Sequence, residues 1–174
     1  VEALPGVLRA EPFRSTPVIL RNGHRERRLA IAGVPEHADL SRILDDDLNA
    51  LDPPVAGLLI SRHVAQLLDL HIGDKAEVEL LEKDRRVVAV PVTAIVQNYV
   101  GLAVYMHAGA LDRLIGDGPR LSGVHASVDP LHIDELYAAV KRTPAIGSIA
   151  LQDISRVRFR ETIGENITVM TTVY

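Results

Sequence analysis

Residues 57–81 read Gly-Leu-Leu-Ile-Ser-Arg-His-Val-Ala-Gln-Leu-Leu-Asp-Leu-His-Ile-Gly-Asp-Lys-Ala-Glu-Val-Glu-Leu-Leu. The apolar run ending at Ile60 is a buried strand, predicted over 55–60. Ser61 is placed to cap the helix that follows, where Val64, Leu67 and Leu68 share one face. Gly73 is expected to stop that helix. Val78 and Leu80 then alternate with Glu77 and Glu79, the period of a half-buried strand. Strand, helix, turn and strand thus follow one another within this short stretch.

Outward from this stretch, residues 17–22 and 24–34 read as two strands of a hairpin. Asn22-Gly23 lies between them, the favoured pair for a tight turn with positive φ. Asp52-Pro53-Pro54 closes a mixed connection from Glu36 onward, and Pro-Pro cannot continue a helix or a central strand. Residues 87–111 contain no Asp, Glu, Lys or Arg. That length would cross a bilayer, but Pro91, Gln97, Asn98 and Gly101 interrupt it and its many valines favour strands. Two buried strands with a turn near 97–101 are expected, then a short helix at 108–115. A strand is expected at 122–128. Asp129 caps the next helix, with Pro130 at its first position and Ile133, Leu136, Tyr137 and Val140 as its apolar stripe. A last strand is expected at 146–151.

The terminal stretch differs in kind. From Ile154 onward, Phe159, Ile163, Ile167, Met170 and Tyr174 recur at helical spacing, and residues 166–174 carry no charge. A helix becoming steadily more apolar suits an approach to a bilayer. An amphipathic helix docked on the core fits the same pattern equally well.

The chain has 174 residues, 47% hydrophobic and 24% charged, which is enough to fill a core. Aromatics make up only 3% and the formal net charge is −4, so neither base stacking nor phosphate neutralisation is favoured and no nucleic-acid partner is expected. There is no cysteine, which excludes thiol nucleophiles, disulfides and zinc ribbons. No two of the seven histidines stand three to five residues apart, so no helical metal pair is expected. Asp45, Asp46 and Asp47 lack the order of an EF-hand loop and read as a solvated charge run or a helix start. There is no phosphate-binding glycine loop and no nucleophile elbow. No catalytic, cofactor-binding or metal residue is assigned, and the chain is not expected to be an enzyme. The Ile72-Gly73-Asp74 turn into a strand is shared by several small β folds.

Taken in order, Leu4-Pro5-Gly6-Val7, Ala32-Gly33-Val34, Gly57-Leu58-Leu59-Ile60-Ser61, Leu70-His71-Ile72-Gly73-Asp74 and the terminal 159–174 stretch resemble the extracytoplasmic domain of FtsX/MacB-type ABC transporter permeases. The resemblance implies a two-lobed α+β periplasmic core domain, one lobe inserted in the other. Residues 1–36 and 118–156 would form the outer lobe and 37–117 the inserted β-rich lobe. Residues 157–174 would be a stalk helix leading to a membrane span, with Phe159, Ile163, Ile167 and Met170 as its coupling stripe. The implied role is to couple ATP hydrolysis on a cytoplasmic ABC ATPase to export or to a periplasmic partner, by mechanotransmission at the outer face of the bacterial inner membrane. The implied partners are the rest of the permease chain, that ATPase and a periplasmic or membrane-fusion-type protein. No cofactor is implied. The competing reading is a soluble β-rich binding or regulatory module built around the Gly73-Asp74 turn. A small enzyme with a site assembled at long range ranks below both.

Overall fold

The computed structural model describes residues 3–143, apart from 83, 84, 98–100, 117 and 119. The strand expected at 146–151 and the helix expected from Ile154 lie outside the described residues. The first strand, β1 (Val7–Asn22), is followed by β2 (Arg25–Val34), the short pair β3 (Ile43–Leu44) and β4 (Ala50–Leu51), and β5 (Leu58–Ser61). Helix α1 (Arg62–Leu68) leads to β6 (Lys75–Leu80), β7 (Val87–Val96) and β8 (Val104–His107). Helix α2 (Ala108–Ile115), β9 (Gly123–Val128), a 3-10 turn at Pro130–His132 and α3 (Ile133–Lys141) complete the order.

Six of these strands close on themselves. β1 pairs with β2, β2 with β8, β8 with β5, β5 with β7, β7 with β6, and β6 with β1. A closed barrel leaves no strand edge unpaired around its circumference. The registers carry one face around the ring: Val18 and Leu20 stand opposite Leu80 and Val78, Val78 opposite Val88, Ile60 opposite Val104, and Val104 opposite Ile31. These inward residues, with Leu58, Val90, Val92 and Met106, form the main core. β5 and β8 are antiparallel, so the helices that follow them leave from opposite ends of the barrel. Val64 and Leu68 of α1, and Leu111 and Ile115 of α2, enter the same core, so each helix plugs one mouth.

Strand pairing splits β1 into two parts. Residues 7–13 of β1 pair with β9, as a ribbon outside the barrel. Residues 14–22 pair with β2, and 18–21 also with β6. The partner of β1 thus changes between Phe13 and Arg14. The segment 37–117 supplies only four of the barrel strands. Without the first hairpin, β6 and β8 would each keep an unsatisfied edge. Ser122 bridges the gap on β1 between β9 and β6. Its hydroxyl accepts from the Ser15 amide at 2.9 Å and donates to the Ser15 carbonyl at 3.0 Å.

Several local expectations are met. Ser61 caps α1, accepting from the Val64 amide at 3.3 Å. β6 alternates as read, with Ala76, Val78 and Leu80 buried. Residues 87–111 hold β7, β8 and the start of α2. Among the described residues, no helix is long and apolar enough to cross a membrane.

Others are corrected. β1 begins at Val7, ten residues before the expected start at Pro17, because Pro12 and Pro17 are accommodated along a strand that changes partners. Val55 is not in β5 and is 77% exposed. The α1 stop is Asp69 in the left-handed conformation, not Gly73. Gly73 instead shapes the turn before β6 at φ 97°, where the Asp74 carboxylate accepts from the His71 amide at 2.7 Å.

In the first hairpin Asn22 pairs with Arg25, so Gly23 and His24 form the loop. Gly23 has φ 58°, while Asn22 and His24 are not left-handed. Glycine at the first loop position is the II′ pattern. The Asn22 side chain is left free, and its Nδ2 donates to the Leu68 and Asp69 carbonyls at 2.9 and 2.8 Å and closes the end of α1.

Candidate functional site

Phe159, Ile163, Ile167 and Met170, the coupling residues expected from the sequence, lie outside the described residues. Within the described residues, the chemistry-bearing groups serve mostly in structural positions. His107 caps α2, its Nδ1 accepting from the Gly109 amide at 3.1 Å. His125 stacks on Phe13 with ring centroids 4.4 Å apart. His71 lies 3.5 Å from Asp74 and His132 3.3 Å from Asp129. Among the described residues, no group of three or more His, Asp or Glu is placed to hold a metal ion.

The acidic run at 45–47 is the turn of the β3–β4 hairpin, and not a helix start. The Asp45 carboxylate accepts from the Asp47 amide at 3.0 Å, the Asn49 amide at 2.8 Å and the Asn49 side chain at 3.1 Å. The Asn49 side chain and then its amide hold the Asp45 carboxyl below its usual pKa against an opposing effect of burial, with the Asp47 amide adding the least. The turn forces Leu48 into the left-handed region at φ 64° and leaves it 74% exposed.

The hairpin lies on the outer wall of the barrel. Ile43 is buried in a second apolar cluster with Val34, Leu59 and Val96, and Leu51 and Tyr105 pack against it. Side chains alternate across a strand, so Leu44 and its register partner Ala50 face outward and are exposed. One hairpin face is thus glued to the wall while the other, with Leu48 at its tip, meets solvent.

Two polar ties fix the surroundings. Arg14 is inward-facing and nearly buried at one barrel mouth, where its guanidinium meets Asp112 of α2 at 2.5 Å and the Gly118 carbonyl at 2.9 Å. Its strand partner is Gly33. A Cβ on Gly33 would lie 2.9 Å from Leu111, so the glycine makes room for α2 to seat. The second tie is Glu11 on the β1–β9 ribbon, which accepts hydrogen bonds from residues 39–41 just before the hairpin. Sequence reading missed both ties, because each joins residues far apart in the chain. Nothing local marked Glu11 or Arg14 among the other charges of β1.

The described architecture is a plugged barrel, an outer ribbon that joins residues 7 and 128, and a docked hairpin with an exposed apolar tip. No family model matches the chain, and no curated protein matches it. Among solved structures, it is similar to the extracellular domain of the noncanonic ABC-type transporter YknZ from Gram-positive bacteria. That match has a TM-score of 0.48 and 15% identity over 78% of this chain and 73% of the other. It is also similar to the periplasmic region of MacB from Actinobacillus actinomycetemcomitans, with a TM-score of 0.45 and 14% identity over 81% of this chain and 69% of the other.

Proposed function

We propose that this chain is the extracytoplasmic domain of an ABC transporter permease of the FtsX/MacB type. The observation that carries the reading is the ribbon. Val7 stands opposite Val128, and the Asp129 amide donates to the Gly6 carbonyl at 2.8 Å. The start of β1 and the end of β9 therefore run side by side, with α3 following. A domain held between two membrane helices needs this arrangement, because both connections must reach one membrane face. The ordered resemblance of its segments to such permeases, and the uncharged 166–174 stretch, support the same reading.

In this role the domain has no reaction of its own. ATP hydrolysis belongs to a cytoplasmic ABC ATPase, in keeping with the lack of a phosphate-loop motif. The stalk stripe Phe159, Ile163, Ile167 and Met170 carries motion from the membrane helices outward. The exposed hairpin tip is the surface presented to a periplasmic or membrane-fusion-type partner, at the outer face of the bacterial inner membrane.

The location is testable because the chain has no cysteine. In an otherwise cysteine-free full-length protein, Leu48→Cys places a thiol at an exposed tip. A membrane-impermeant maleimide is expected to label it in intact spheroplasts. Labelling only after lysis would overturn the reading in favour of a soluble β-rich module. The stalk is tested separately. In the intact transporter, Ile163→Asp is expected to lower ATP-driven transport roughly tenfold or more, since a charge within an apolar helix contact or bilayer segment costs about 2.5–3.5 kcal/mol. The 174-residue chain carrying the same change should keep its unfolding midpoint. Unfolding of that chain would make this a core helix, and unchanged transport would remove its coupling role.

A further inference from the structure

Donors from three successive residues converge on the Glu11 carboxylate. The Asp39 and Leu40 amides reach Oε2 at 2.8 and 3.0 Å. The Ser41 amide reaches Oε1 at 3.1 Å, and the Ser41 hydroxyl donates to the same oxygen. Successive backbone amides turned to one side form a concave anion-binding nest. Here the anion is a side chain of the same protein. The acid that would oppose it, Asp39, is paired with Arg9 and Arg42. On the neighbouring strand, His125 stands opposite Glu11 in the ribbon register.

Residues 39–41 run almost directly into Ile43 and the β3–β4 hairpin. The hairpin therefore has two attachments to two different parts of the fold. Ile43 and Leu51 pack on the barrel wall, while the nest is tied to the β1–β9 ribbon. We propose that Glu11 is a latch that fixes the 39–41 connector, and with it the hairpin, to the ribbon, and that opening it frees the hairpin while the barrel stays closed. The latch does not depend on the permease reading. It would operate in any protein in which the ribbon is displaced relative to the barrel.

Burial acts to raise the Glu11 pKa. The Ser41 hydroxyl, the Leu40 and Ser41 amides and the nearby His125 together outweigh it, and the carboxyl lies below its usual range. A carboxyl with a depressed folded pKa stabilises the closed state fully above its unfolded value, about 4.3. That contribution is lost as pH falls through the lower folded value. The latch is closed at neutral and mildly acidic pH.

Hydrogen exchange on the 174-residue chain tests this, read as protection factors. In Glu11→Ala, amides 39–41 and the 43–51 hairpin are expected to lose protection roughly tenfold to a hundredfold, the scale of hydrogen bonds to a charged group. Strand amides at 58–61 and 87–96 should keep wild-type protection. Glu11→Gln, which keeps the bulk without the charge, should fall between. Ser41→Ala removes a single donor and should show a smaller loss at the same amides. In the wild type, protection at 39–41 should fall only below the usual glutamate range. The proposal fails if Glu11→Ala leaves 39–41 unchanged, or if the barrel strands lose protection equally. It also fails if the wild-type loss begins near neutral pH.

Discussion

Asp112→Ala is expected to destabilise the fold by about 3 kcal/mol, because it leaves the Arg14 guanidinium in the barrel mouth without its counter-charge. The two partners are not equivalent. The Arg14 side chain is 7% exposed and that of Asp112 is 31% exposed. A carboxylate left alone at that exposure can be hydrated, but a guanidinium left alone in the mouth cannot. Among the described residues, the Gly118 carbonyl would be the acceptor left to Arg14. Arg14→Met keeps much of the apolar stem and should cost less, about 1 kcal/mol. The double variant should resemble Arg14→Met more than the sum of the two changes, with a coupling of about 2 kcal/mol. Urea unfolding midpoints at constant slope measure all three. A cost below about 0.5 kcal/mol for Asp112→Ala would mean that water reaches Arg14, and that the mouth is not sealed by α2.

Gly57→Ala should be of similar size, about 3 kcal/mol, for a different reason. Gly57 has φ +88°, a conformation costly to any residue with a Cβ. A Cβ there would also lie 2.5 Å from the Thr93 methyl and 2.7 Å from the Pro91 carbonyl oxygen. The second contact is with backbone and cannot be relieved by a rotamer change. Thr93 is the residue skipped where the β5–β7 register shifts, since Leu58 stands opposite Val92 and Leu59 opposite Ala94. Its hydroxyl donates toward the Ala56 and Leu58 carbonyls at 3.3 and 3.2 Å, so the bulge folds back over Gly57. Gly23→Ala is the control. It has positive φ but nothing within 4 Å of the added carbon, and should cost only about 1 kcal/mol. Equal unfolding midpoints for the two variants would show that the close approach at Gly57 carries no energy. Adding Thr93→Ala to Gly57→Ala should recover part of the loss and not all of it, since the Pro91 carbonyl remains.

The amino-acid sequence by itself determined the elements whose signals are local. The alternation at 76–80 is a strand, the valine-rich stretch is β7, residues 108–115 form α2, and Ser61 caps α1. Each rests on periodicity or on a cap whose partner is three residues away. Such signals specify which face of each element is apolar. Turn chemistry was legible in kind but not in register. Asn22-Gly23 marked the hairpin, yet only the pairing of Asn22 with Arg25 placed Gly23 and His24 in the loop.

Tertiary structure alone decided which strand lies beside which. Backbone donors and acceptors are the same on every strand edge, so a sequence does not name the partner of an edge. Closure does, because the ring is complete only when the first hairpin joins the middle strands. This gave β1 two sets of partners, β9 up to Phe13 and the barrel strands from Arg14 onward. It also carried Glu11 to the 39–41 nest and Arg14 to Asp112, contacts spanning about thirty and ninety-eight residues. An isolated acid or arginine carries no mark of its partner in the sequence. Only when the strands had been brought together around the apolar interior was there a nest for the one and a counter-charge for the other.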